Sequence, residues 1–237
     1  MDPKEKLIIA LDVNTKEKAL ALIDTLKSDV KLFKIGLELF SSCGPSIVGD
    51  VSRKGCRIFL DLKYHDIPNT VSKSAISVTK PGVFMLNLHA LGGYEMMKNA
   101  ALAVRQEADR LKMTRPKVIA VTILTSMDEM ALKKTGISDT MDAEVLRLAK
   151  LAKEAGLDGV VASPSEIKLL REELGRDFLI VTPGVRPEWA AAGDQKRVAT
   201  PAQAIADGAS FIVVGRPVTE AVNQREAAKK ILKEMDL

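Results

Sequence analysis

The sequence predicts a single (β/α)8 TIM barrel over residues 1–237, and three observations lead there. Short apolar runs alternate with longer amphipathic stretches along the whole chain, the number of such runs is eight, and polar residues gather where the runs end. Brief, β-branched runs suit strands buried on both faces, which is what a parallel sheet requires. A doubly wound open sheet shares this alternation, and the count of eight is what favours the closed barrel.

Taken in order, "LIIAL" (7–11) ends against Asp12 and leads into the helical spacing of "TKEKALALIDTL" (15–26). "KLFKIG" (31–36) places Lys34 near its end, and "RIFLDL" (57–62) closes on Asp61 with Lys63 just beyond. "VFMLNLH" (83–89) closes on His89 and precedes the amphipathic "YEMMKNAALAVRQEADRL" (94–111). "KVIAVTIL" (117–124) contains Thr122 and is followed by Ser126; "AEVLRLAKLAKEAG" (143–156) then reads as a helix stopped by Gly156. "GVVAS" (159–163), "FLIVTPG" (178–184) and "FIVVG" (211–215) complete the set, the last two ending on Pro183–Gly184 and Gly215–Arg216. The irregular connection "PGVRPEWAAAGDQKRVAT" (183–200) is long for a compact domain, the length of a functional lid.

In barrels of this kind the active site lies at the C-terminal ends of the strands, where these polar residues fall. Asp61 and Lys63 are two apart, so a strand projects both to one side, toward the barrel mouth. Asp66 opens the following loop "DIPNT". Buried charges are costly unless paired, so a Lys63 held between two carboxylates is expected to keep its proton, with a raised pKa. A structural ion-pair network is the better explanation of an isolated DxKxxD; the strand-end position, with Lys34 and Asp12 brought near by topology, favours function. Gly215–Arg216, ahead of Pro217 and an apolar helix, offers backbone N–H groups and a guanidinium for an anion, against the plainer alternative of a turn with a solvated Arg.

Composition narrows the classes further. A net charge of +4, from 35 basic and 31 acidic residues with no Lys/Arg block, does not suit nucleic acid. Only Cys43 and Cys56 occur, without metal-ligand spacing, which fits a reduced, cytoplasmic protein. The opening "MDPKEKLIIALD" is expected to be neither a signal peptide nor a membrane span. No GxGxxG, P-loop or nucleophile elbow occurs, which argues against NAD, ATP and acyl-enzyme chemistry. Met96, Met97, Met127 and Trp189 read as packing residues, and His65 and His89 as hydrogen-bonded structural histidines.

Together, "LIIALDV", "FKIGLELF", "FLDLKYHDIPNTV", "AVTILTSMD", "VTPGVRPEWAAAGDQKRVATPAQAI" and "FIVVGRPVTEA" make the chain resemble, over nearly its whole length, the orotidine 5′-phosphate decarboxylase family. The resemblance implies a homodimeric barrel that uses no metal and no organic cofactor. It implies a charged array of Lys34, Asp61, Lys63 and Asp66, with Asp66 donated across the dimer interface and Lys63 protonating C6 of the pyrimidine. It implies ribose contacts from Asp12 and Lys34, joined by Asp66, Ile67 and Thr70 of the partner subunit. Ser126 would meet the pyrimidine amide edge, Pro183 and Val185 would pack on the ring, and Gln195, Gly215 and Arg216 would hold the phosphate.

Two alternatives stand beside this reading. A Mg²⁺-dependent sugar-phosphate decarboxylase or aldolase of the same superfamily also carries DxKxxD on its third strand. There, Lys34 at the mouth of strand two would oppose a second cation, and Glu38, the only nearby acid, is expected on the following helix. The other alternative is a phosphate-ligand-binding barrel without catalysis.

Overall fold

The computed structural model describes residues 3–190 and 199–236. Eight parallel strands run in chain order and close on themselves: β1 Leu7–Ala10, β2 Leu32–Gly36, β3 Arg57–Tyr64, β4 Val83–His89, β5 Lys117–Val121, β6 Gly159–Val161, β7 Leu179–Thr182 and β8 Phe211–Val214. Closure is made by β1, which pairs with β2 (Ile9 opposite Phe33) and with β8 (Ile9 opposite Val214). The predicted (β/α)8 barrel is therefore the observed fold, and the open sheet is excluded by that β1–β8 ladder.

Helices α1 Pro3–Lys6, α2 Lys16–Leu26, α3 Leu37–Cys43, α4 Ser46–Arg53, α5 Pro68–Val78, α6 Tyr94–Arg110, α7 Glu129–Lys134, α8 Met141–Glu154, α9 Ile167–Leu174, α10 Pro201–Ala206, α11 Arg216–Thr219 and α12 Gln224–Met235 are set among the strands. Their starts follow from local chemistry. Thr15 caps α2 by accepting the Lys18 N–H, and Thr140 caps α8 by accepting the Ala143 N–H, so α8 begins two residues before the apolar periodicity becomes visible. Gly156 follows α8 at φ 81°, a conformation that suits glycine after a helix.

Alternation along the strands divides the core in two. Ile8, Leu32, Phe59, Met85, Ile119, Val181 and Phe211 point inward and fill the barrel. Leu7, Ile9, Phe33, Ile58, Leu60, Leu86 and Ile212 point outward under the helices. At the N-terminal rim, Asp158 accepts two hydrogen bonds from Arg115 at 2.7 and 2.6 Å and one from the Val118 N–H at 2.8 Å, tying the entries of β5 and β6 together. Among the described residues no helix is long and apolar enough to cross a membrane.

One irregularity bears on the site. Between β3 and β4 the register passes from Leu60–Leu86 to Tyr64–Leu88, so β3 advances four residues while β4 advances two. This bulge contains Asp61, Leu62 and Lys63, and bulges of this type re-aim side chains where a sheet meets its functional rim.

Candidate active site

The C-terminal mouth of the barrel holds a cavity of about 280 Å³, near the small end of the range for small-molecule sites. Asp12, Lys34, Asp61, Lys63 and Arg216 enter it from β1, β2, β3 and β8, while Pro183 and Val185 cover it from the loop after β7. Residues up to 204 positions apart in sequence meet here because each stands at or just past a strand end.

The charges form a connected row. Lys63 Nζ lies 2.6 Å from Asp61 Oδ1, Lys34 Nζ lies 3.3 Å from Asp61 Oδ2, and Lys34 Nζ also lies 3.0 Å from Asp12 Oδ1. Asp61 is only 9% exposed. Burial pushes its pKa up, but Lys34, Lys63 and the hydrogen bonds from Lys63 and Asn87 outweigh burial, and the carboxyl is held below the usual Asp value. For Lys34, burial pulls the pKa down, Asp61 and Asp12 pull it up, and the net shift is upward. The lysine bracketed by two carboxylates within one protomer is thus Lys34. Lys63 has Asp61 as its carboxylate neighbour, whereas the Asp66 side chain accepts from the Ile67 N–H at 2.7 Å in its own loop.

The backbone aims these groups. Lys63 sits at φ 51°, the left-handed region that a lysine rarely occupies, inside the bulge of β3. Asn87 of β4, fully buried, holds the bulge from the side. Its Oδ1 accepts the Lys63 N–H at 2.8 Å and its Nδ2 donates to Asp61 Oδ1 at 2.7 Å. Gly36 ends β2 beneath the row, where an added Cβ would stand 3.0 Å from Lys34 Nζ. A glycine there leaves the ammonium its place.

The remaining expected residues are distributed unevenly. Gly215 lines the cavity beside Arg216. The helix that starts at Arg216 is a single turn of four residues, too short for the aligned dipole expected of a helix start, so the anion-binding capacity there rests on the guanidinium and local N–H groups. Ser126 is exposed on the loop after β5, while Ile123, Leu124 and Thr125 of that loop reach the cavity. Asp66, Ile67 and Thr70 are exposed on the rim at the start of α5, Ile67 at 66%. Gln195 lies outside the described residues. The base of its loop is fixed by a bridge between Val185 and Ala199 and by the Arg186 N–H donating to Ala199 O at 2.9 Å. Trp189 docks on α12, its Nε1 donating to Glu234 at 3.0 Å under the Lys230 ammonium.

His65 and His89 stack at 5.4 Å between ring centroids, next to the row. The expectation of hydrogen-bonded histidines does not hold for His89, whose buried Nδ1 has no hydrogen-bond partner among the described residues. Burial first, then His65 and Lys63, lowers its pKa, which favours the neutral ring. Asn87 is the site residue that the sequence reading missed. Its one signal was an amide in the otherwise apolar run "VFMLNLH", two positions before His89. As for metals, the described residues include no group of three or more His, Cys, Asp or Glu suited to hold an ion. Between Asp12 and Asp61 the Lys34 ammonium already supplies the cation.

The profile of the "Orotidine 5′-phosphate decarboxylase / HUMPS family" matches residues 5–231. The chain is 49% identical to the orotidine 5′-phosphate decarboxylase of Geotalea daltonii over 99% of this chain and 97% of that one. It is 50% identical to that of Moorella thermoacetica over 100% of this chain and 94% of that one. The crystal structure of orotidine 5′-phosphate decarboxylase from Lactobacillus acidophilus is similar at a TM-score of 0.88 and 40% identity, covering 98% of this chain and 100% of that chain.

The charge row makes a prediction that is independent of substrate. Asp61→Ala removes one of the two carboxylates that raise the Lys34 pKa and leaves its burial in place. The Lys34 pKa is therefore expected to fall in an Nζ-detected NMR titration. A value unchanged from wild type would show that Asp61 does not set the charge of Lys34.

Proposed function

The chain belongs to the orotidine 5′-phosphate decarboxylase / HUMPS family, and we propose that its charged row performs the reaction of its decarboxylase relatives, the conversion of orotidine 5′-monophosphate to UMP and carbon dioxide. The observation that carries this reading is the Lys63–Asp61 contact of 2.6 Å inside a cavity that also contains Arg216.

Cleavage of the bond between C6 and its carboxylate leaves the electron pair on C6, in the ring plane, where the π system cannot take it up. Stabilisation must then come from charges already in place. The Lys63 ammonium faces that carbon, lowers the energy of the developing anion and gives it a proton, becoming a neutral amine that solvent reprotonates after product release. Asp61 stands beside the departing carboxylate, and Lys34 keeps Asp61 ionised. Asp12 and Lys34 take ribose hydroxyls; Pro183 and Val185 pack on the base. Ser126 takes the amide edge when its exposed loop turns inward. Arg216 and the Gly215 N–H hold the phosphate, joined by Gln195. Binding energy from this remote phosphate can be used to close the loop and bring the substrate carboxylate against Asp61.

The protein acts as a cytoplasmic homodimer. Asp66, Ile67 and Thr70 project from the rim beside the cavity, and Ile67 leaves a large apolar side chain 66% exposed in the protomer. A second copy seated on this rim covers Ile67 and adds Asp66 of the partner subunit to the row, giving Lys63 its second carboxylate. No metal or organic cofactor takes part, since Lys34 meets the charge demand of Asp12 and Asp61.

Two measurements check this. Purified protein is expected to consume orotidylate absorbance in the presence of EDTA, and Lys63→Ala is expected to lower kcat by roughly 10³-fold or more while UMP still binds within about tenfold of wild type. Chelator-sensitive activity restored by Mg²⁺ would move the protein to the metal-dependent branch, and equal losses of binding and turnover would remove Lys63 from the transition state. In the second, mixing inactive Lys63→Ala and Asp66→Asn dimers is expected to restore roughly a quarter of wild-type activity through hybrids with one intact site each. No recovery after confirmed subunit exchange would place Asp66 outside the neighbouring site.

A further inference from the structure

We propose that Asn87 is a positioning residue of this site: one buried side-chain amide that spans the β3 bulge and fixes Asp61 and Lys63 relative to each other. The inference rests on the decarboxylase reading, because it assigns Asn87 its purpose through the two groups placed at the reacting carbon.

Asn87 is 0% exposed, so it meets no substrate. It stands on the inner face of β4, two residues beyond Met85 of the inner core, and forms part of the floor under the charged row. Its two contacts fix the orientation of the amide without ambiguity. The Lys63 N–H can only donate and an ionised Asp61 can only accept, so Oδ1 must face the first and Nδ2 the second. Asn is the residue type that supplies an acceptor and a donor at this reach. Asp would set a carboxylate against Asp61, Leu has the same outline with neither function, and Gln is one methylene too long for a fully buried slot.

Both contacts act on catalytic groups. The acceptor restrains a backbone N–H at φ 51°, the unfavourable conformation on which the Lys63 side-chain direction depends. The donor shares Asp61 Oδ1 with the Lys63 ammonium, so the carboxylate cannot rotate without losing both partners. Asp61 is faced by Lys34 from β2, itself held by Asp12 after β1, by Lys63 on its own strand and by Asn87 from β4. The His65–His89 stack lies beyond Lys63. Among the described residues that hold Asp61 by a hydrogen bond or ion pair, Asn87 is the uncharged one, and it can favour the ionised form without adding a charge that would compete for the substrate carboxylate.

The test compares Asn87→Ala and Asn87→Asp with wild type on orotidine 5′-monophosphate between pH 5 and 8, with competent sites counted by UMP binding. Asn87→Ala is expected to lower kcat per site by about 10- to 100-fold, the size of one lost hydrogen bond to a charged group, with KM changed far less. The acid limb of its profile should move to higher pH, because Asp61 has lost a donor. If that variant does not fold, Asn87→Asp, which has the same shape, decides the matter. Its kcat relative to wild type should rise as pH falls, since a protonated carboxyl at position 87 can donate to Asp61 as the amide did. Wild-type kcat per site and an unmoved pH profile in the folded variants, with only thermal stability reduced, would overturn the inference. Wild type that fails to turn over orotidylate would instead overturn the functional reading beneath it.

Discussion

The contact between Lys63 and Asp61, at 2.6 Å, is the interaction on which the upper half of this barrel depends. A carboxylate that is 9% exposed should take up a proton, because burial penalises its charged form. Asp61 keeps its charge because two ammonium groups and one amide converge on its two oxygens. Removing any one of them leaves the others facing a group whose ionisation is less secure, so the row behaves as a unit and its energies are not separable residue by residue.

The closed barrel makes this convergence possible. The row is drawn from the ends of three neighbouring strands, with Asn87 of a fourth beneath it, and the ladders from β1 through β4 fix their spacing before any ligand arrives. A catalyst that works by electrostatics needs such prior order, since charges that must reorganise during the reaction return little of their attraction. The cost appears locally, as a lysine in the left-handed region and a two-residue slip between β3 and β4. Both irregularities lie where the chemistry is placed, while the N-terminal rim is held by the regular Asp158–Arg115 staple. Arg216 belongs to the same logic under the proposed function: as the phosphate end, it would supply binding energy for holding the substrate against Asp61.

Much of this was legible in the residues. Eight β-branched runs announced eight buried strands, and the polar residues at their ends announced the face that carries the site, because a parallel barrel leaves few other places for an Asp or Lys next to a core strand. The DxKxxD stretch named two of the four members of the row, Asp61 and Lys63. What stayed hidden was hidden for physical reasons. Simple alternation correctly sent Asp61 and Lys63 to one side, yet it contains no signal for a bulge, which is set by the pairing strand and not by β3 alone. Asn87 looked like a lone polar residue in an apolar run, since its two partners are 24 and 26 positions away. The His65–His89 stack had the same character, a contact between strand ends with no local pattern. The length of α11 was invisible because "RPVTEAV" has ordinary helix formers and is interrupted only by the later Asn223 cap of α12.

The central claim is that this fixed row makes an anion at C6 tolerable, and exchange into UMP measures that anion without any carboxylate to lose. UMP incubated with wild-type protein in D₂O is expected to incorporate deuterium at C6 far faster than UMP alone, by the reverse of the protonation assigned to Lys63. UMP that binds the protein and gains deuterium no faster than in buffer would contradict the account.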